Sequence, residues 1–374
     1  MTHFCDKFSD NVQILELCIN AVDCLRYIHQ VLTNCCPNLT RLRIACSFTK
    51  TKQMLMDPLP PKAKLTSFLF YSSRKPPVSF IQAVVNASPN LRELSIPWGI
   101  HPNFENSKSI DSLTIGARAL QARRIDRFKP VEMSRMLNQI GDQLVTLGFG
   151  EYDEVVCITG SGNWDRQEFR LPRKMPKLQK YRNMLLDVFQ CDDVLHDFEK
   201  MPVLKRLVLG KTYRTKSASL HEYLQTIFNA GKILGGVESL KIFEMHDPTL
   251  LEGLKTAFPN LVRLELDTGD MTDHRGEESR MKWGPVLKAC AGWVGLKHLY
   301  LSLPTESDLV LDVIQGLLDG SELYKTLKTF EMGQCCGDDV THDFTEIELN
   351  LFKQVLVATD EMDEVEIHVQ LQIC

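Results

Sequence analysis

The sequence predicts an α/β repeat solenoid, with short parallel strands on a concave face and helices on a convex face. Three observations predict it. A short apolar rhythm recurs along the 374 residues. The first copies return at near-constant intervals of 27, 26 and 26 residues, counted from Val12 to Leu39, Leu65 and Leu91. The stretches between copies carry apolar residues at helical spacing.

The rhythm is clearest in LTNCCPNLTRLRIAC, residues 32–46. Leu39, Leu42 and Ile44 are apolar and their neighbours are polar. That spacing is too tight for a helix face and close to the period-two alternation of a strand. Pro37 and Asn38 read as the turn that launches it. The same frame gives Leu91, Leu94 and Ile96, then Leu204, Leu207 and Leu209. It returns at Leu261, Leu264 and Leu266, and at Leu296, Leu299 and Leu301. Looser copies begin at Val12, Leu65, Ile110, Leu144, Leu240 and Leu327, and the faintest at Leu178. Self-similarity at about 20 to 29 residues, with one strand and one helix per unit, is the signature of leucine-rich repeats. Stacked units share a core, so residues 1–374 read as a single domain of about twelve irregular repeats.

The helical elements follow from spacing. Residues 219–234 place Leu220, Tyr223, Leu224, Ile227 and Phe228 three and four apart. Residues 309–320 and 345–360 do likewise, so each predicts an amphipathic helix with one buried stripe. The last segment, EVEIHVQLQIC, alternates from Val365 to Ile373 and predicts a final strand, its edge guarded by Asp363, Glu364 and Glu366. Residues 97–108, 150–169 and 267–283 are rich in turn formers and predict exposed loops.

Composition narrows the function classes. Net charge is -5 and 44% of residues are hydrophobic, an ordinary soluble composition. No stretch approaches the roughly 18 apolar residues a membrane span needs. The first residues lack the apolar core of a secretion signal, so the expected location is the cytoplasm or nucleus. The twelve cysteines contain no CxxC pair and read as reduced, small apolar residues. From Arg118 to Arg182 there are thirteen basic and eight acidic residues; from Glu331 to Cys374 there are eleven acidic and one basic. A basic middle suits an acidic partner. The acidic chain has no nucleic-acid signature.

Three segments resemble chemical motifs and fail on spacing. LGKTYRT (209–215) has Lys205 where a phosphate-binding loop needs glycine. ITGSGNWD (158–165) lacks the dinucleotide glycine spacing. CCGDDVTHDF (335–344) gathers metal-ligand residue types, but adjacent cysteines do not readily share one tetrahedral ion. No nucleophile elbow is present. The expectation is a protein without catalytic residues, metal or cofactor.

The units resemble the cysteine-containing repeats of F-box/leucine-rich-repeat proteins. Cys36, Pro37, Asn38 and Leu39 fit the helix-cysteine-Pro-Asn-Leu frame closely. Cys290 repeats it with Ala-Gly-Trp in place of Pro-Asn, and Cys335 stands where the family has a cysteine after the strand. The resemblance implies a leucine-rich repeat horseshoe whose repeats bind a protein substrate for ubiquitin transfer. In that family an upstream F-box grips an adaptor of a cullin-type ubiquitin ligase. Here about eleven residues precede the first strand, too few for that three-helix box, and no LPxEIxxxIF-like run occurs. The expectation is therefore a non-catalytic protein-binding module. The alternative is a substrate-recognition subunit of the ligase whose F-box lies outside this sequence, and ligase components are expected partners only then. An enzyme built on a long loop is the remaining alternative.

The expected partner is a protein on the concave face, with no nucleic acid and no membrane. Strand side chains alternate, so the third and fifth positions of each unit face that partner. They nominate Arg41, Arg43, Lys180, Arg182, Arg206, Arg263, Glu265, His298 and Tyr300. His298 and Tyr300 weigh most, since tyrosine is enriched at binding hot spots. Trp98 and Trp164 join them as loop aromatics, whereas Trp293 reads as core.

Overall fold

Each copy of the apolar rhythm forms a strand, because alternate side chains on an extended chain point to opposite faces. The computed structural model describes residues 9–20, 24–47, 57–72, 78–116, 129–150, 169–184, 186, 194–210, 219–243, 247–267, 283–303, 310–334, 345–360, 362 and 364–367. These residues form an open, all-parallel α/β solenoid in which strand order follows chain order. They fall in two units, Met1–Leu204 with Thr212–Lys216, and Lys205–Lys211 with Ser217–Cys374.

The first unit holds β1 (Ile14–Asn20), α1 (Cys24–Asn34), β2 (Arg41–Ser47), β3 (Ser67–Ser72), α2 (Val78–Ala87) and β4 (Glu93–Pro97). It continues with β5 (Ser112–Gly116), α3 (Pro130–Asn138), β6 (Thr146–Phe149), β7 (Lys180–Asn183) and α4 (Val194–Glu199). Strands β1 to β7 pair in parallel in that order. The register aligns Leu42, Phe68, Leu94, Leu113 and Leu147 in one row, all at 0% exposure. Tyr181, from the faintest copy, extends that row and is buried.

The second unit holds β8 (Arg206–Leu209), α5 (Ser219–Asn229), β9 (Ser239–Phe243), α6 (Leu250–Ala257), β10 (Arg263–Asp267) and α7 (Trp283–Cys290). It ends with β11 (His298–Leu303), α8 (Val310–Asp319), α9 (Ser321–Tyr324), β12 (Thr329–Gln334), α10 (Glu346–Ala358) and β13 (Glu364–Ile367). Strands β8 to β13 are parallel throughout. Leu207, Leu240, Leu264, Leu299 and Phe330 make the corresponding buried row.

One backbone pattern aligns neighbours. The carbonyl just before a strand accepts two amides from the next repeat. Gln13 O takes Thr40 N and Arg41 N at 2.7 and 3.1 Å. Thr40, Thr66, Arg92, Asp111 and Val145 repeat the pattern in the first unit, and Lys205, Glu238, Val262 and Lys297 in the second. The asparagine of the Pro-Asn turn adds a stitch to the preceding repeat. Asn38 Nδ2 donates to Asp10 O at 2.7 Å, Asn90 Nδ2 to Ala63 O at 2.8 Å, and Asn260 Nδ2 to Gly235 O at 2.9 Å. The sequence marks this residue as a turn former, and its amide also joins one repeat to the one before.

Several expectations sharpen. In α5, Leu220, Tyr223, Leu224 and Ile227 are buried as the spacing requires. The helix stops at Asn229, earlier than position 234. Gly231, at a positive φ of 60°, supports the turn that follows. Residues 97–108 correct the expectation of an exposed loop: Ile100 and Phe104 are at 0% exposure. Gln139 Oε1 accepts the Phe104 amide at 2.8 Å, which pins the segment beneath the surface. Trp293 lies in the core. Five of the six described cysteines are buried, and burial pushes the Cys290 thiol up to about 12, as for a packing residue. The remaining residues of the predicted final strand, 368–374, and most of the loops 150–169 and 267–283, lie outside the described residues.

Two packing details give tests. Lys62 is buried, and its Nζ donates to the carbonyls of Cys35 at 2.7 Å and Cys36 at 3.4 Å, just past the C-terminus of α1. A cation is favoured there by the helix dipole, although burial lowers the lysine's pKa. Lys62→Met removes both donors from buried carbonyls, and urea unfolding should show a loss of about 1–3 kcal/mol. On α6, a Cβ at Gly253 would lie 2.5 Å from the Phe228 ring. Gly253→Ala should therefore destabilise by about 1–3 kcal/mol despite its better helix propensity. A urea midpoint equal to or above that of the parent chain would contradict this close approach.

Candidate functional site

The registers that bury one set of side chains turn the other set outward. In the first unit one outward row runs through Arg41, Ser67, Glu93, Ser112, Thr146 and Lys180. The next runs through Arg43, Leu69, Ser95, Thr114, Gly148 and Arg182. Arg41 and Lys180 are exposed. Arg43 is half-buried, its guanidinium 5.4 Å from the centroid of the Tyr71 ring, a cation–π distance. Ser67 Oγ donates to Glu93 Oε2 at 2.6 Å. Arg182 Nη2 donates to Thr114 Oγ1 at 3.4 Å across Gly148, where a Cβ would meet the guanidinium at 3.0 Å. The glycine at that position therefore lets the arginine lie flat on the sheet.

In the second unit the outward rows assemble a charge cluster. Glu265 is 5% exposed yet stands on the outward side of β10, covered by neighbouring cations. Lys241 Nζ lies 2.8 Å from Glu265 Oε2, and Arg263 Nε lies 2.7 Å from Oε1. Arg206 reaches to 4.0 Å. The same Lys241 ammonium sits 4.9 Å from the Phe243 ring centroid and 5.5 Å from that of Tyr300. His298 Nδ1 is 2.8 Å from Thr329 Oγ1. Burial alone would raise the pKa of Glu265; hydrogen bonds and charge from Lys241 and Arg263 outweigh it and hold the carboxyl below its usual value.

The structure thus groups Arg206 and Arg263 around Glu265, and links Tyr300 to them through Lys241, which sequence reading did not nominate. The register pairs Leu240 with Leu264, so the copy starts three residues before Leu240 and Lys241 occupies its fifth, outward position. Arg43 and Arg182 make separate contacts in the first unit. Trp98 lies in the turn after β4 and is half-buried, with its indole nitrogen enclosed, which fits it less well for contact than an open loop would. Trp164, the segments 158–165 and 335–344, and residues 211–215 of LGKTYRT lie outside the described residues.

Among the described residues, no group of three or more His, Cys, Asp or Glu side chains is arranged to hold a metal ion. No described helix is long and apolar enough to cross a membrane. No protein-family model matches the chain, and no curated protein shows significant similarity to it.

The Glu265 cluster predicts a pH dependence. Because the folded pKa is lowered, its contribution is present above the unfolded carboxylate pKa and is lost as pH falls through the folded value. Glu265→Gln should cost about 3 kcal/mol near neutral pH, since it leaves the largely buried Lys241 without its carboxylate. Urea midpoints measured from neutral to acid pH should show the parent converging on the variant at the acid end. Parallel curves would contradict the cluster.

Proposed function

We propose that the chain is a non-catalytic protein-interaction module. It presents the outward rows of its parallel sheet to another protein, as the substrate-binding repeats of the F-box/leucine-rich-repeat proteins it resembles do. The observation that carries this reading is the Glu265 cluster, which holds Lys241, Arg263 and the neighbouring Tyr300 in fixed places on a sheet face. Side chains held before an encounter lose less freedom on binding, and arginine and tyrosine dominate binding hot spots. Arg43 over Tyr71 and Arg182 over Gly148 are fixed in the same way in the first unit.

A photo-crosslinking amino acid at Thr114 or Ser239, on the sheet face, should give a discrete protein adduct in cell lysate. One at Gln315, on the exposed side of α8, should not. Lys180→Glu should weaken the Thr114 adduct and Arg206→Glu the Ser239 adduct, each by about five-fold or more, as expected for reversing a charge at an interface. Equal adducts from sheet and helix positions would overturn the reading.

A further inference from the structure

The two units differ in the charge along the leading edge of their sheets. This edge comprises the residue just before each strand, whose carbonyl or amide takes part in the double-acceptor pattern, and the first outward residue beside it. In the second unit the pairs are Lys205 with Arg206, Glu238 with Ser239, Val262 with Arg263, Lys297 with His298, and Lys328 with Thr329. They carry five cations, Lys205, Arg206, Arg263, Lys297 and Lys328, against one carboxylate, Glu238. The corresponding edge of the first unit carries three cations, Arg41, Arg92 and Lys180, against two carboxylates, Glu93 and Asp111. Lys205 lies 3.0 Å from Glu238, but both side chains are more than half exposed, so water screens the pair heavily. Arg206, Arg263 and Lys328 are exposed as well.

We infer that the leading edge of the second unit docks a carboxylate-rich, extended segment of the partner protein, laid across strands β8 to β12. This rests on the reading of the chain as an interaction module and names the chemistry of its partner. The spacing supports it. Four steps between neighbouring strands, at about 4.8 Å each, cover roughly 19 Å, and an extended chain at about 3.3 Å per residue covers that in about six residue-to-residue steps, or about seven residues. Alternate side chains of such a segment share one face. Its carboxylates therefore meet cations on β8 and β10 and just before β11 and β12, while its other side chains face solvent. Val262, 38% exposed, offers an apolar contact midway. Lys241 and Glu265 stand one row deeper, and Glu265 holds Arg263 at the rim.

The test uses the full chain and a fluorescein-labelled peptide of four Glu-Ser repeats, read by anisotropy. The controls are a Lys-Ser peptide and a single-stranded DNA oligomer of equal charge. Glu-Ser should bind and Lys-Ser should not, with affinity falling as salt rises. Arg206→Ala and Lys328→Ala should each weaken binding about two- to five-fold. Lys64→Ala and Lys177→Ala, at exposed lysines of the first unit outside the outward rows, should leave it unchanged. Circular dichroism confirms that each variant is folded. Absent peptide binding, equal binding of Lys-Ser, tighter binding of DNA, or a dimer that the second-unit substitutions dissociate would each overturn the inference. If the Glu-Ser peptide fails while the Ser239 photo-adduct persists, only the acidic chemistry is lost. If both fail, the interaction reading falls with it.

Discussion

A single main-chain carbonyl that accepts two amides from the next repeat governs the rest of this structure. A net contribution of about 1 kcal/mol per hydrogen bond is modest, but the geometric consequence is large. A slip of one residue would turn every apolar side chain of a strand to the opposite face. The bond pairs from Gln13 to Val145 in the first unit, and from Lys205 to Lys297 in the second, pin each strand against that slip. The Pro-Asn asparagines tie the turns before several strands in the same direction.

With register settled, the two faces follow. Leucine and phenylalanine rows close the interior. The outward rows inherit a fixed lateral spacing, so side chains far apart in the chain become neighbours. Glu265 meets Lys241 and Arg206 only because β8, β9 and β10 are aligned residue by residue. A buried carboxylate on an outward face would be costly by itself. Surrounded by cations it becomes an anchor that sets where they stand.

The strands were readable because their period is two and their turns are marked by Pro-Asn. Even the faint copy at Leu178 forms a strand, since Leu178 and Tyr181 supply buried anchors. The outward candidates followed from the same alternation. What sequence reading missed depends on contacts between repeats of unequal length. Phe104 and Ile100 sit among turn formers, and nothing local tells that Gln139, 35 residues later than Phe104, holds that segment down. Lys62 looks like an ordinary surface lysine until the preceding repeat places two carbonyls above it. The role of Lys241 was hidden for the same reason: its partners lie on adjacent strands.

The rung formed by one carbonyl and two amides uses no side chain. A connector can therefore lengthen, shorten or change composition while the strands on either side keep their seats. The interval between paired positions accordingly shrinks to 24 residues from Leu240 to Leu264 and widens to 35 from Leu264 to Leu299 without disturbing the pairing of β9, β10 and β11. Such a seam leaves most positions free to drift, so that an architecture can outlast any wording of the sequence that first encoded it.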